Sequence, residues 1–410
     1  MDLPPYAERL LELSELLVSN GYLAIVLIDL SEVSKVAQES QLYDRLMDLL
    51  GREIVRLQGA ELRPGDILTL SEKAGDAILV FLSPPNDKHL TPETVGQQAD
   101  RIQASLNHRL SSASLPSGRG ASRITTGFSV VVHNPLIQVP RLVQRGINEA
   151  RDVAYLNRLN REARDKQRLL QIILEEDIRP VYQPIVELGS RSIHGFEALT
   201  RGPRGTELES PLALFDMASK TDLLFEIDQV CRRTAVIRAQ KLTSPYKLFI
   251  NTLPFSIRDP HFRGKFLLNL LDGSELIPQR IVLEVTENLA IEDYNSYLAE
   301  MKYFSDMGFL TAIDDVGAGY SGLKKVEQLQ PDYLKLDMHM VRHIDQSTVK
   351  QDVMRAFCVM AGNIGAEVIA EGIETREELR TVQQLGVDYV QGYFLARPLD
   401  GFQTTLDVEF

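Results

Sequence analysis

Two kinds of hydrophobic pattern divide the chain. Past residue 175, short apolar runs at 180–186, 192–197, 247–251, 280–285, 310–314, 333–336, 367–371 and 388–391 alternate with stretches of helical spacing. Runs this short, bounded by turn residues, read as buried strands. Eight such runs between helices over residues 175–410 predict a largely parallel sheet closed into a (β/α)8, TIM-like barrel. The earlier pattern is mixed: 22–30, 77–82 and 124–133 read as strands, 41–57 and 94–110 as helices, and 111–122 as a Ser/Gly-rich loop. The expected class is therefore α/β, with a smaller α/β domain preceding the barrel.

From 142 to about 174 the spacing of Leu142, Val143, Ile147, Ala150 and Ala154 is helical, and 157–168 is dense in Arg, Asn, Glu, Asp and Lys. A solvated connector and an overlong last helix of the first domain both fit. We divide the chain into a first domain at 1–158, a helical connector at 159–174 and a second domain at 175–410.

Composition narrows the function classes. At 410 residues the chain exceeds one ordinary domain, and 44% apolar with 25% charged residues suits a globular protein with sizeable cores. A net charge of −13 argues against DNA or another polyanion held by a basic surface. Cys231 and Cys358 stand in no motif spacing, so neither a disulfide framework nor a cysteine zinc site is expected, and a reducing compartment fits. The start lacks a basic n-region, and the most apolar run, near 22–30, contains Asp29 and is too short to span a bilayer. A cytoplasmic protein without membrane attachment is expected.

Candidate chemistry lies at the ends of the barrel segments, which carry Glu197, Asn251, Glu284, Asp314, Asp315, Lys335, Glu371 and Gln391. Strand alternation puts Glu284 on the face of Val282, leaving Ile281, Leu283 and Val285 toward the helices. In a barrel the first set points inward at the C-terminal mouth, where barrel enzymes place their chemistry. One strand-end carboxylate is readily a helix N-cap; capping does not account for several converging ones. Glu197, Glu284, Asp314, Asp315 and Glu371, with Lys335 as the nearby cation, must protonate or bind metal. None of the seven histidines falls at these ends, so an oxygen-only donor set favours Mg²⁺ or Mn²⁺ over zinc. Adjacent aspartates suit a carboxylate shared by two cations, the usual device for in-line attack on a phosphodiester.

Phe196-Glu197-Ala198-Leu199-Thr200-Arg201 resembles the signature of the EAL phosphodiesterases. Around it, in order, stand Tyr182-Gln183-Pro184-Ile185-Val186, Phe249-Ile250-Asn251, Leu283-Glu284-Val285-Thr286-Glu287, Asp314-Asp315-Val316-Gly317-Ala318-Gly319, Leu334-Lys335-Leu336-Asp337, Ala370-Glu371-Gly372-Ile373-Glu374 and Gln391-Gly392-Tyr393. The resemblance implies hydrolysis of cyclic di-GMP to linear pGpG with two metal ions. It assigns one cation to Glu197, Asn251, Glu284 and Asp314, and the other to Asp314, Asp315 and Glu371. Catalysis would fall to Glu197, Lys335 and Glu371, with Lys335 orienting the attacking water and Glu371 as general base. Gln183, Leu199, Arg201 and Gln391 would line the substrate, Arg201 meeting a phosphate through its fork geometry. Glu287 would brace the loop after the fifth strand and couple the metals to a homodimer formed through the EAL domain. That loop departs from the family pattern, with Val316 for a Phe and Ala318 for a Thr, which puts loop order, rate and dimer coupling in doubt rather than coordination.

Two other readings stand beside this one. A non-catalytic receptor would bind cyclic di-GMP and signal through the connector, but such receptors lack several metal ligands and here every position is filled. An unrelated metal-dependent barrel of enolase type predicts hard cations but not the ordered series.

Residues 20–158 resemble a GGDEF domain, the diguanylate cyclase fold, on Ile25-Val26-Leu27-Ile28-Asp29-Leu30, Ala74-Gly75-Asp76-Ala77-Ile78, Thr126-Gly127-Phe128-Ser129-Val130 and Asn148-Glu149-Ala150-Arg151-Asp152. The cyclase chemistry is missing: Ser31 stands for a metal-binding Asp, Ala77 for the signature Glu, and Ala37 and Gln38 for the guanine-reading pair. Without paired carboxylates there is no cage for metal. A degenerate, regulatory domain is expected, and GTP or another nucleotide is the ligand to test there. Arg63 and Asp66 match the inhibitory Arg-x-x-Asp pair of some cyclases, yet their distance from Ala74 is long and a plain Pro64-Gly65 turn accounts for them.

Overall fold

The computed structural model describes residues 3–39, 43–71, 77–84, 90–112, 123–262, 269–286, 294–316, 326 and 328–406. The chain forms two units, Met1–Gln167 and Arg168–Phe410.

The first unit opens with α1 (Leu10–Asn20), whose Leu13 and Leu17 lie one turn apart and are fully buried. Gly21 ends it at φ 75°, a left-handed cap that glycine adopts without strain. Then follow β1 (Tyr22–Asp29), α2 (Ser31–Glu39), α3 (Tyr43–Ala60), β2 (Ile67–Leu70), β3 (Ala77–Leu82), α4 (Pro92–Ser112), β4 (Thr125–Val132) and α5 (Val139–Glu175), which continues into the second unit. The strands form an antiparallel sheet in the order β2-β3-β1-β4. Alternation in β1 sends Ala24, Val26 and Ile28 to Ile54 of α3 and Ile102 of α4, and Leu23, Ile25 and Leu27 to Leu17 of α1 and Ile147 of α5. A central strand covered on both faces reads as one continuous apolar run. Gly127 of β4 permits the closest approach of α5, because a Cβ there would meet Ala150 O at 2.1 Å.

The second unit contains β5 (Arg179–Glu187), β6 (Ser192–Arg201), α6 (Pro211–Thr221), α7 (Leu224–Ala239), β7 (Lys247–Thr252), β8 (Ile281–Thr286), α8 (Tyr294–Asp306), β9 (Leu310–Val316), β10 (Tyr333–Leu336), α9 (Met338–Val341), α10 (Thr348–Ile364), β11 (Glu367–Ala370), α11 (Arg376–Gln384) and β12 (Tyr389–Val390). Its eight strands close into a barrel in chain order. The largely parallel sheet holds for the pairings from β6 to β12. β5 differs, running antiparallel to both β6 and β12. Residues 188–191 join β5 to β6 as a turn, and a connection that short can only reverse the chain, whereas parallel neighbours need a crossover.

Side-chain alternation sorts the wall. Ile185, Phe249, Val282, Ala312, Tyr333, Ile369 and Tyr389 form one cluster inside the barrel. Ile281, Leu283, Val285 and their equivalents on other strands join the helices in the outer core. Among the described residues, no helix is long and apolar enough to cross a membrane.

Candidate metal centre

One step further along the inward face of each strand the residue is polar. Asn251 lies two past Phe249, Glu284 two past Val282, Asp314 two past Ala312, Lys335 two past Tyr333, Glu371 two past Ile369 and Gln391 two past Tyr389. On antiparallel β5 the same level falls two residues before Ile185, at Gln183, and on β6 it is Glu197, Gln183's pairing partner.

The side chains of this layer meet. Lys335, 1% exposed, places Nζ 2.7 Å from Glu371, 2.8 Å from Glu284, 3.3 Å from Asp314 and 3.4 Å from Glu197. Asn251 Nδ2 donates to Glu197 Oε1 at 2.9 Å and Gln391 Nε2 to Glu197 Oε2 at 2.8 Å. Gln391 Nε2 also donates to Gln183 Oε1 at 3.0 Å, and Gln183 Nε2 to Ala396 O at 3.0 Å. Glu284 is fully buried, and its Oε2 has no hydrogen-bond partner. Asp315 takes the left-handed φ of 59°, and its N–H donates to Asp314 Oδ1 at 3.0 Å.

Electrostatics separates these groups. Burial pushes Glu197 up, but Lys335 and the amides of Gln391 and Asn251 outweigh it and hold the carboxyl below its ordinary range. Burial, then the Glu197 charge, lifts Glu284 well above that range. Burial also raises Asp314, takes Asp315 to about 6 with help from Asp314 and Asp337, and takes Glu371 to about 8 against the pull of Lys335. Lys335 itself would be lowered by burial, yet the surrounding carboxylates drive it well up. One ammonium is thus too little positive charge for five carboxylates, and protons make up the difference.

This donor set fits hard divalent cations. It offers only oxygens, one of them buried and unpartnered, and ligand atoms of Asp314, Asp315 and Glu371 lie within 4.8 Å of one another. Leu199 and Arg201 continue the inward face of β6 beyond Glu197, outside the carboxylate cluster, and Arg201 Nη1 donates to Thr200 O at 2.7 Å. Glu287 and the loop residues from Gly317 to Ser321 lie outside the described residues, as do Ala74, Gly75 and Asp76. Asp337, given no role from sequence, acts on Asp315 through its charge; its position two residues past Lys335 was the available signal.

In the first unit, among the described residues, Asp29 at the end of β1 and Glu32 just beyond it each face an arginine. Arg158 Nη1 lies 3.6 Å from Asp29 Oδ2 and donates to Ser31 Oγ at 3.2 Å. Arg63 and Asp66 are committed to a turn: Arg63 N donates to Asp66 Oδ2 at 2.8 Å, Arg63 Nη1 to Ser83 O at 2.9 Å, and Ser83 N to Asp66 Oδ1 at 2.7 Å.

A profile of the EAL domain matches residues 166–398. The chain belongs to the EAL family. One relative is the probable cyclic di-GMP phosphodiesterase PdeG of Escherichia coli K12, 30% identical over 247 residues that make up 58% of this chain and 48% of PdeG. Two other curated relatives are matched over 31% and 30% of their lengths, so this chain spans half or less of these relatives. Among solved structures, the PaMucR phosphodiesterase in complex with c-di-GMP superposes with a TM-score of 0.51 at 25% identity, covering 57% of this chain and 97% of that one. Bacillus subtilis YkuI, which has an EAL domain and is in complex with substrate c-di-GMP and calcium, gives a TM-score of 0.50 at 28% identity, covering 58% of this chain and 60% of that one.

Proposed function

We propose that this chain hydrolyses cyclic di-GMP to linear pGpG in the EAL barrel with two Mg²⁺ or Mn²⁺ ions. The observation that carries this reading is the convergence of Glu197, Glu284, Asp314 and Glu371 on one buried ammonium. Four carboxylates packed this closely retain protons unless further positive charge joins them, and two divalent cations together with the Lys335 ammonium would match the charge of the five-carboxylate set.

Glu197, Asn251, Glu284 and Asp314 are assigned to one cation, and Asp314, Asp315 and Glu371 to the other. When bound, such ions lower the pKa of a water and stabilise the charge that develops on phosphate. Lys335 orients the attacking water, and Glu371 accepts its proton. Gln183 and Gln391 keep Glu197 in place, while Arg201 and Leu199 face the substrate from β6. We also propose a homodimer through the EAL domain and a regulatory role for residues 1–158 acting through the helix at 159–174. Arg158, bonded to Asp29 and Ser31 at the end of β1, supports a domain without cyclase activity.

The test is product analysis. Full-length protein with Mn²⁺ and cyclic di-GMP yields linear dinucleotide, and EDTA stops it. Glu197→Ala loses metal and turnover together, whereas Glu371→Gln keeps nucleotide binding and loses at least about a hundredfold in kcat. Tight binding with no product in the parent protein would instead identify a receptor.

A further inference from the structure

Behind β7 lies a buried charge cluster that the metal centre does not use. Arg232 of α7 is 0% exposed, Asp228 3% and Asp259 1%. Arg232 Nε donates to Asp228 Oδ2 at 2.8 Å and Nη2 donates to Asp259 Oδ2 at 3.2 Å. Gln229 Nε2 donates to both Asp259 oxygens, at 3.1 and 3.2 Å. Asp228 also accepts from the backbone N–H of Leu253. The guanidinium carbon stands 4.5 Å from the centroid of Phe262. The chain from 253 to 262, which follows directly on Asn251 and Thr252, is thereby tied to one side of α7.

Such a cluster is a poor way to gain stability. Desolvating three charges costs several kcal/mol per ion, and apolar residues of similar volume often hold a helix against a sheet as well or better. What an ionic triad adds is direction, because a planar guanidinium bonds two carboxylates at one set of angles. The element it directs is the end of β7. Asn251 stands two residues before Leu253, its amide bonds Glu197, and it lines a small cavity together with Arg232, Thr200 and Cys231.

We propose that Arg232 is a positioning residue for the metal centre: by clamping Asp228 and Asp259 it fixes the backbone after Asn251 and so sets the Asn251 side chain against Glu197. The inference rests on the reading of Asn251 as a metal ligand given above. Outer partners of metal ligands typically govern affinity by about 10- to 100-fold when removed.

The deciding variant removes all three charges together while keeping acceptors for Leu253 N–H and Gln229, Asp228→Asn, Arg232→Met and Asp259→Asn, in the full chain. Its melting temperature in EDTA is expected to equal or exceed that of the parent, while its Mn²⁺ Kd, measured by calorimetry, weakens by about tenfold or more. Arg232→Lys, which keeps the charge and loses the fork, falls between the two in Mn²⁺ affinity. A triple variant that binds Mn²⁺ as the parent does overturns the proposal and leaves the metal centre standing. A large fall in melting temperature makes the triad a stability element and overturns the proposal too. A parent protein that takes up no Mn²⁺ removes the metal centre and this inference with it.

Discussion

Lys335 occupies a place where a lysine ordinarily pays heavily for burial, and it remains charged because four carboxylates surround it. Lys335→Met leaves those groups facing one another. In EDTA the variant is expected to lose about 3–5 kcal/mol in urea unfolding, and Mn²⁺ should restore part of the loss by meeting the same oxygens. His194 makes a second residue-level prediction. Burial, with Lys247 nearby, lowers its imidazole to about 4, and its Nε2 stands 3.0 Å from Tyr333 Oη. Unfolded, the ring takes up a proton near its ordinary 6.5. Between these values the unfolded state binds more protons, so stability is lost as pH falls from about 6.5 towards about 4. Allowing for partial exposure, the loss is on the order of 1–2 kcal/mol; His194→Gln should abolish that part of the difference between unfolding midpoints measured at the two ends of the window. The polar layer was legible in the sequence because a period of two puts Glu284 with Val282 and Lys335 with Tyr333. The Arg232 triad was not, since Asp259 lies 27 residues away and no local pattern pairs them; the hint was a run of charges at 228 and 232 inside a helix otherwise apolar on that side.

Among the elements, every barrel segment expected from the sequence corresponds to a strand, because each apolar run is short and bounded by turn residues. The reversed direction of β5 was harder to read. It depends on the absence of a helix between Glu187 and Ser192, which a list of strands does not display. β2 is four residues long and went unread for want of periodicity. The sequence reading places no element in the first twenty residues, although Leu10, Leu13 and Leu17 sit at helical spacing and Gly21 supplies a terminator. The burial of α1 gives the prediction at this scale: Leu17→Ala should cost about 2–5 kcal/mol in the unfolding transition of the first unit, and leave the Mn²⁺ affinity of the barrel unchanged by calorimetry. Val316, where the family pattern has a larger aromatic, is 1% exposed within the outer core; the smaller side chain fills a packed position there rather than facing the carboxylates.

For the whole molecule, a regulatory first unit predicts that the full chain and residues 168–410 differ in kcat with cyclic di-GMP, and that GTP alters only the full chain. Equal rates, with no response to GTP in either, would remove the regulatory role. The two halves also differ in how they finish their sheets. The barrel is a closed ring and has no outermost strand. The sheet of the first unit stops at β2 on one side and β4 on the other. At β2 the edge is short, and Leu70 N already bonds Pro4 O. β4 is eight residues long and rich in β-branched side chains; Gln103 and Asn157 bond the backbone of Thr126 near its start, and the stretch towards Val132 is the kind of border along which a second chain can add. Aggregation under mild destabilisation should therefore start in the first unit, and a charged substitution meant to keep the protein dispersed belongs at Val132, the exposed end of β4, where it leaves the ring of the barrel untouched.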